Sequence, residues 1–376
     1  MFYKENNVFE EALERIRFIY DNCDDVIVSM SGGKDSAVLF NLAMTVAKER
    51  NRLPLKVFWL DQEAEWKHTY MYMKDILYRE DVKPYWFQVE FDFTNSLSAQ
   101  NNFLKVWDKS CPEKWIRQKD DIAIKENPSP FNRFHDLVEN LPSYCTDKET
   151  KHCAVLVGMR ISESLNRKMT IAHNKSQFGG ITWCRQMINN TRVFYPIYDF
   201  KNEDIWIALG KNKWSYNKIY DFMYQYGVPL QKMRVSALIH ETSWHAIEML
   251  QEFERDTYNK FVARINGVST FNHAFDEGGI IPRELPFAFK DWKEYRDYLL
   301  VHITKPEYWE LFTKRWKGQD GDEWYKIHTK EIIINDIDGT INANARARFR
   351  KDNKKQTYYE RDKALFDKYM EDKKND

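Results

Sequence analysis

This chain of 376 residues has only five cysteines, Cys23, Cys111, Cys145, Cys153 and Cys184, odd in number and widely spaced. Such spacing fits reduced thiols better than a disulfide framework. It has no run of eighteen apolar residues, so no membrane-spanning helix is expected. It has no excess of either charge, because Lys plus Arg and Asp plus Glu are 57 each. No global field therefore pulls it toward nucleic acid or membrane, and any such partner must be met locally. The opening MFYKENNVFEEALERIRFIYDN reads as an amphipathic helix rather than a basic-then-apolar export signal, and the expected location is the cytoplasm. Internal repeats and low-complexity segments are also lacking.

Aromatic residues, by contrast, are abundant. They make up 15% of the chain, with 13 Trp, in a sequence that is 43% hydrophobic. This composition argues against disorder and for an extensive core, and it leaves rings over for stacking on planar ligands or for a homodimer surface. The length suggests two or three units.

The first hundred residues alternate between strand and helix patterns. DDVIVSMS is a short apolar, β-branched run, and KDSAVLFNLAMTVAKER follows with apolar residues at helical intervals. LPLKVFWLD, EWKHTYMYMKDILYRE and KPYWFQVEFDF then read as strand, helix and strand. That order predicts a parallel sheet with crossover helices. Residues 95–150, with Pro112, Pro128, Pro130 and Pro142, read as an insertion of short helices and loops. HCAVLVGMR restores a buried strand at 152–160, and TRVFYPIYDFKNEDIWIALGK gives a last strand and a helix from near Asn202, with Ile205 and Trp206 assigned to the core. The expected organisation is an α/β domain over 1–214 and a mostly helical domain over 215–376. Within the latter, EWYKIHTKEIIINDIDGTIN suggests a small β element from its Ile run and Asp-Gly turn signal.

Between the first strand and its helix lies Ser31-Gly32-Gly33-Lys34-Asp35-Ser36. In an open parallel sheet, ligands bind beyond the carboxyl ends of the strands, where a helix N-terminus faces an anion. Gly32 and Gly33 allow a tight turn and close backbone approach to a phosphate, Ser29, Ser31 and Ser36 add hydroxyls, and Lys34 neutralises charge. Asp35 repels phosphate unless a cation intervenes, which argues for Mg²⁺ at this residue. The spacing is not that of a Walker A loop.

The complete hexapeptide in this position resembles the PP-loop ATP pyrophosphatases, and the sequence is similar to their phosphoadenosine phosphosulfate (PAPS) reductase-like branch. The resemblance implies the adenine nucleotide alpha hydrolase-like fold and a bound adenine nucleotide attacked at the α–β bond. Three further stretches carry it. Asp61 ends the second strand in FWLDQEAEW, where the branch has an acid that helps position adenosine or metal. VGMRISES, residues 157–164, resembles the element G-x-R-x-x-E-S, which implies that Gly158 and Arg160 meet phosphate or sulfate and that Glu163 orients the guanidinium. YPIYDFKNEDIW, residues 195–206, is similar to the segment that closes the domain, with Phe200 where the branch usually has Trp. Each residue also has a plainer reading: Arg160 as a surface ion-pair partner, Glu163 as support for a first helical turn, Asp61 as a cap.

The reductases of that branch attack with a cysteine near the C-terminus, and no cysteine follows Cys184 here. Nor does the chain have the Cys-Cys and C-x-x-C patterns of the iron–sulfur relatives. YCTDKETKHC offers Cys145 and Cys153, candidates for a cluster with Cys111 or Cys184, although the spacing is not a standard one. Lys148 and Lys151 are the preferred reading of that stretch, as cations reaching the phosphate end of the pocket. Farther on, VPLQKMRVSALIH and FVARINGVSTF resemble segments of the IbrA-like proteins (immunoglobulin-binding regulator A and phage or bacterial relatives), which implies a regulator with a ParB-like companion. Residues 343–358 carry six cations against Asp352 alone, fit either for contact with nucleic acid or for a solvated terminal helix. Two functions remain open. One is a Mg²⁺-dependent enzyme that transfers AMP from ATP to an acceptor such as a nucleic acid or small anion. The other is a regulatory module that senses ATP or PAPS.

Overall fold

The computed structural model describes residues 7–94, 103–146, 150–163, 165–172, 178–188, 190–235, 238–239, 244–265, 284–304 and 306–337. Two compact units divide the chain, one from residues up to 92 and from 106 to 236, the other from 93–105 and from 237 onward to 356.

The first unit opens with helix α1, Val8–Asn22. Asn7 accepts from the N–H groups of Phe9 and Glu10 while Glu10 returns a bond to the Asn7 N–H, so two orphan donors at the helix start are satisfied reciprocally. Strand β1, Asp25–Ser29, has buried neighbours on both sides. Helix α2, Lys34–Glu49, buries eleven of its sixteen residues, which explains why its apolar pattern runs nearly all round. Then come β2 (Leu55–Leu60), α3 (Lys67–Leu77) and β3 (Val82–Phe87). The expected third strand stops at Phe87, and its continuation becomes β4, Phe91–Thr94, which pairs with β5, Phe103–Val106, as a separate two-stranded ribbon. A 3₁₀ turn at Pro112–Lys114, helix α4 at Phe134–Asn140 and a second 3₁₀ turn at Leu141–Cys145 make up the described insertion.

Strand β6 (Cys153–Val157), helix α5 (Leu165–Ala172), β7 (Cys184–Gln186), β8 (Thr191–Phe194), α6 (Asn202–Lys211) and α7 (Ile219–Gln225) complete the unit. The main sheet has the order β3-β2-β1-β6-β8-β7. All pairings are parallel except that of β7 with β8. The strand order reverses between β2 and β6 around β1, the switch point beyond whose carboxyl end a crevice opens in such sheets. Trp59 of β2 stacks on Trp86 of β3 with centroids 5.1 Å apart, and both are fully buried. Expected and observed elements agree on every strand of the parallel core. The unit also continues past 214, through Asn217, Tyr220 and Met233, all buried.

The second unit is helical where it is described: α8 (Trp244–Phe253), α9 (Arg255–Arg264), α10 (Trp292–Ile303), α11 (Pro306–Arg315) and α12 (Asp322–Ile337). Leu299, Leu300, Phe312, Trp316 and Ile332 form its core. Helix α12 corrects the expected β element. Tyr325, His328, Thr329 and Ile332 are buried at helical spacing, so Ile332 joins a helix face rather than a strand. The basic segment 343–358 lies outside the described residues.

Candidate functional site

The turn after β1 is built as its glycines require. Gly32 has φ +71°, and a Cβ there would lie 2.6 Å from the Thr69 methyl carbon on α3. Gly33 caps α2 without a side chain. Ser36 Oγ donates to the Gly33 carbonyl at 2.9 Å and stands 3.4 Å from both Ser31 N and Ser31 Oγ, which locks the turn to the first helical turn. Asn217 closes it from outside, donating to the Gly32 carbonyl at 3.1 Å and to Thr69 Oγ1 at 2.8 Å.

Lys34 is the first residue of α2 and is buried. Its backbone N–H donates to the Tyr220 hydroxyl at 3.1 Å, and its Nζ donates to the Met233 carbonyl at 3.1 Å. Burial lowers its pKa, Asp35 offsets part of that effect at 3.5 Å, and Arg160 adds to it. Gly158, just past β6, brings that strand end against α2, since a Cβ on it would lie 3.1 Å from both Asp35 C and Ser36 N. This contact lets Arg160 pair through Nε with Asp35, while its other nitrogens reach Ser162 Oγ and Glu163 Oε1, each at 3.1 Å. Glu163 also pairs with Arg167. Arg160 is therefore a buried fork, not a surface ion-pair partner. Burial, followed by the charge of Arg234, lowers the Arg167 pKa, and Arg234 acts on Lys34 in the same sense.

Three cations, Lys34, Arg160 and Arg167, thus pair with two carboxylates beside the α2 N-terminus, and the charge of Arg234 acts on Lys34 and Arg167, a net positive cradle on top of the helix dipole. Of the residues singled out in the sequence, Lys34, Asp35, Arg160, Glu163 and the glycines come together here. Arg167, which follows Glu163 at the i,i+4 spacing of a helical ion pair, joins them unpredicted, as do Tyr220, Met233 and the charge of Arg234, for which no local signal exists.

The other expected residues have contacts of their own. Ser29 ends β1 in register with Phe58 and Val157. Asp61 is fully buried and fully engaged. Its Oδ1 receives the Glu63 N–H and Arg117, and its Oδ2 receives Trp86 Nε1 at 3.0 Å and Gln88 Nε2 at 2.9 Å. These bonds fix the end of β2 to β3 and to the insertion. Lys151 corrects an expectation. Its N–H donates to Asp24, one residue before β1, which places it at the end of the strands opposite the glycine turn. Cys145 and Cys153 are buried at that same end: Cys153 is paired with Asp25, and the Cys145 carbonyl accepts from Lys56. Burial pushes the Cys153 thiol up to about 12 and the Cys145 thiol well above its ordinary value. Among the described residues, no group of three or more His, Cys, Asp or Glu is placed to hold a metal ion. Lys148 lies outside the described residues.

Magnesium fits the same residues poorly. It takes carboxylate oxygens in near-octahedral geometry, and both carboxylates of the cradle are already bound by guanidinium groups.

The fold and cradle define an α/β protein with a cationic glycine turn at the carboxyl edge of its sheet. Residues 25–226 match the family model described as the phosphoadenosine phosphosulfate reductase domain, and the chain belongs to that family. Its main sheet is parallel except for β7, with helices flanking it, and a helical C-terminal region follows. Among curated relatives, the uncharacterized protein YbdN of Escherichia coli K12 is 29% identical over 328 residues, covering 80% of this chain and 76% of that one. Among solved structures, the FMN adenylyltransferase of Candida glabrata matches with a TM-score of 0.33 at 13% identity, over 58% of this chain and 62%, less than two thirds, of that one. A phosphoadenylyl-sulfate reductase of Candida auris, solved as a phosphate complex, matches with a TM-score of 0.33 at 11% identity, over 59% of this chain and 93% of that one. No helix among the described residues is long and apolar enough to cross a membrane.

Proposed function

We propose that this chain is an ATP pyrophosphatase that transfers AMP to an acceptor, a nucleic acid or a small anion. The cluster of Lys34 and Arg160 on Asp35, in the first turn of α2, and of Arg160 and Arg167 on Glu163 supports this reading. An acceptor oxygen attacks the α-phosphorus, the bond from that phosphorus to the bridging oxygen breaks, and pyrophosphate leaves with the electron pair while the acceptor proton passes to solvent. Lys34 and the guanidinium groups stabilise the charge that gathers on the departing oxygens. The step needs positioning rather than a side-chain nucleophile. Consistent with this, the buried thiols of Cys23, Cys145, Cys153 and Cys184 all have raised pKa values, which disfavours a thiolate reductase.

ATP labelled in the α-phosphate, incubated with the protein and candidate acceptors, is expected to give an adenylate or AMP together with pyrophosphate. Release of ADP and phosphate would overturn the reading. A second reading has one observation in its favour: Tyr220 and Met233 occupy both the N–H and the ammonium of Lys34, as expected of a module that reports nucleotide binding by moving a segment. In that reading the chain senses ATP or PAPS and passes the bound state to DNA or to a ParB-like partner. Saturable binding of either nucleotide without turnover of any acceptor would favour it.

A further inference from the structure

Tyr220 and Met233, which contact Lys34, also line a cavity of about 320 Å³, together with Trp206, Asp221, Tyr224, Gln225 and Leu230. Its volume falls at the lower end of small-molecule sites, which run from about 300 to 1,000 Å³. Three of its walls are aromatic. Trp206 and Tyr220 meet edge to face, 5.5 Å apart at 85°, so the two rings form a corner rather than a closed stack. Trp206 lines the cavity with its ring, while its indole nitrogen is closed off from solvent. At the rim, Asp221 is held by the Tyr216 hydroxyl at 2.7 Å and by Lys218 at 3.4 Å, which leaves its oxygens able to take a further donor. Tyr224 is two-thirds exposed and offers an open ring face.

A planar ring with an amino or imino donor on its edge matches these aromatic walls and the Asp221 carboxylate, and a nucleobase has that chemistry. We propose that this cavity binds the nucleobase of the acceptor, either a free nucleoside or nucleotide or an unpaired base in a single strand. The inference rests on the adenylyl-transfer reading, in which the acceptor must lie beside the phosphates. Tyr220 and Met233 are shared by the two sites, which places the cavity next to Lys34 without using the groups that hold phosphate.

The test is calorimetric titration of the full chain with adenosine, guanosine, cytidine and uridine, which lack phosphate and so avoid the cationic cradle. It is run with saturating α,β-methylene ATP present. At least one nucleoside is expected to bind under that condition, and Tyr224→Ala and Trp206→Leu are expected to weaken it about fivefold or more, in line with the loss of one stacking contact. Competition by a mixed-sequence single-stranded oligoribonucleotide at lower concentration than the nucleoside would assign the base to nucleic acid, and failure to compete would assign it to a free nucleoside or nucleotide. Displacement of every nucleoside by the ATP analogue would overturn the proposal, because the cavity would then be the adenine pocket. So would unchanged affinity in both variants. Nucleoside binding that passes this test, without adenylate formation from ATP, would leave the cavity standing and remove the transfer reading. Transfer that proceeds with both variants unaffected would do the reverse.

Discussion

The Tyr220 hydroxyl accepts the backbone N–H of Lys34 across 186 positions of sequence. That N–H is one of the donors left without an intrahelical partner at the start of α2, and it is the kind of group that faces a phosphate at a helix N-terminus. Tyr220 therefore holds the place of an anion oxygen.

Replacing Tyr220 by Phe keeps the ring and removes only the acceptor. The buried N–H then lacks a partner, at a cost of about 1–3 kcal/mol to the nucleotide-free protein. A phosphate oxygen restores that bond, so Tyr220→Phe is expected to melt a few degrees lower and to bind ATP more tightly, by a factor that approaches tenfold. Thermal unfolding with and without ATP, beside calorimetry, checks both signs. Weaker ATP binding in the variant would show instead that the hydroxyl itself contacts the nucleotide.

The state of Lys34 gives the pH dependence of binding. Burial pulls its pKa below the ordinary 10.5, and only the protonated amine holds phosphate charge. ATP affinity is therefore expected to fall as pH rises through that lowered value, earlier than for an exposed lysine. Lys34→Arg should flatten the profile below pH 10.5, because a guanidinium stays charged over that range. An unchanged slope in Lys34→Arg would move the titrating group elsewhere.

Much of this architecture is legible in the sequence, and the limits of that legibility have physical causes. The strand, turn and helix around Gly32 announce themselves because burial on both faces of β1 demands a continuous apolar run, and because the turn is specified by its own residues. Arg160 and Glu163 are legible for the same reason, being local to one motif. Asp61 is not, since its partners Trp86, Gln88 and Arg117 reach it from β3 and from the insertion and convert an apparent ligand contact into a fully bonded structural carboxylate. Tyr220 and Met233 come from even farther away, and Trp206, assigned to the core from its apolar neighbours, proves half-buried against a cavity. Long-range placement of single side chains leaves no periodic trace. The Ile run of α12 misleads for the opposite reason: a strong local β-propensity is overridden by a helix face that packs Ile332 into the core of the second unit.

Gly158 tests how tightly the cradle is assembled. Its backbone needs no left-handed conformation, so any penalty for a side chain is steric. A Cβ would press within 3.1 Å of backbone atoms of Asp35 and Ser36, which cannot swing aside as a side chain would. Gly158→Ala is expected to cost about 1–3 kcal/mol by denaturant unfolding and to weaken ATP binding, because the end of β6 that carries Arg160 is pushed away from α2. Gly210→Ala, where nothing lies within 4 Å, is the control, and it sits in a helix where alanine is the better residue. Equal stability and binding in the two variants would mean that β6 and α2 are free to separate.

Glu65 sets a different pH dependence, that of stability. It lies just beyond β2, 6% exposed, with Oε1 3.4 Å from the Gln62 N–H and Oε2 without a hydrogen-bond partner among the described residues. Burial, with the nearby Asp61 charge, pushes its pKa up to about 8, while Arg117 pulls the other way and is already paired with Asp61. The native protein therefore holds a proton on Glu65 at neutral pH that the unfolded chain, with an ordinary glutamate, has released. Between about pH 4.5 and 8 the folded state binds more protons than the unfolded one, so stability falls as pH rises across that window and levels off above it. Glu65→Gln carries the neutral form permanently. Denaturant unfolding at several pH values is expected to show the decline in the wild-type chain and a flatter curve in the variant, which should be the more stable of the two above pH 8 by about 1 kcal/mol or more. A parallel decline in both would show that Glu65 keeps its charge in the fold, and that Arg117 neutralises two carboxylates instead of one.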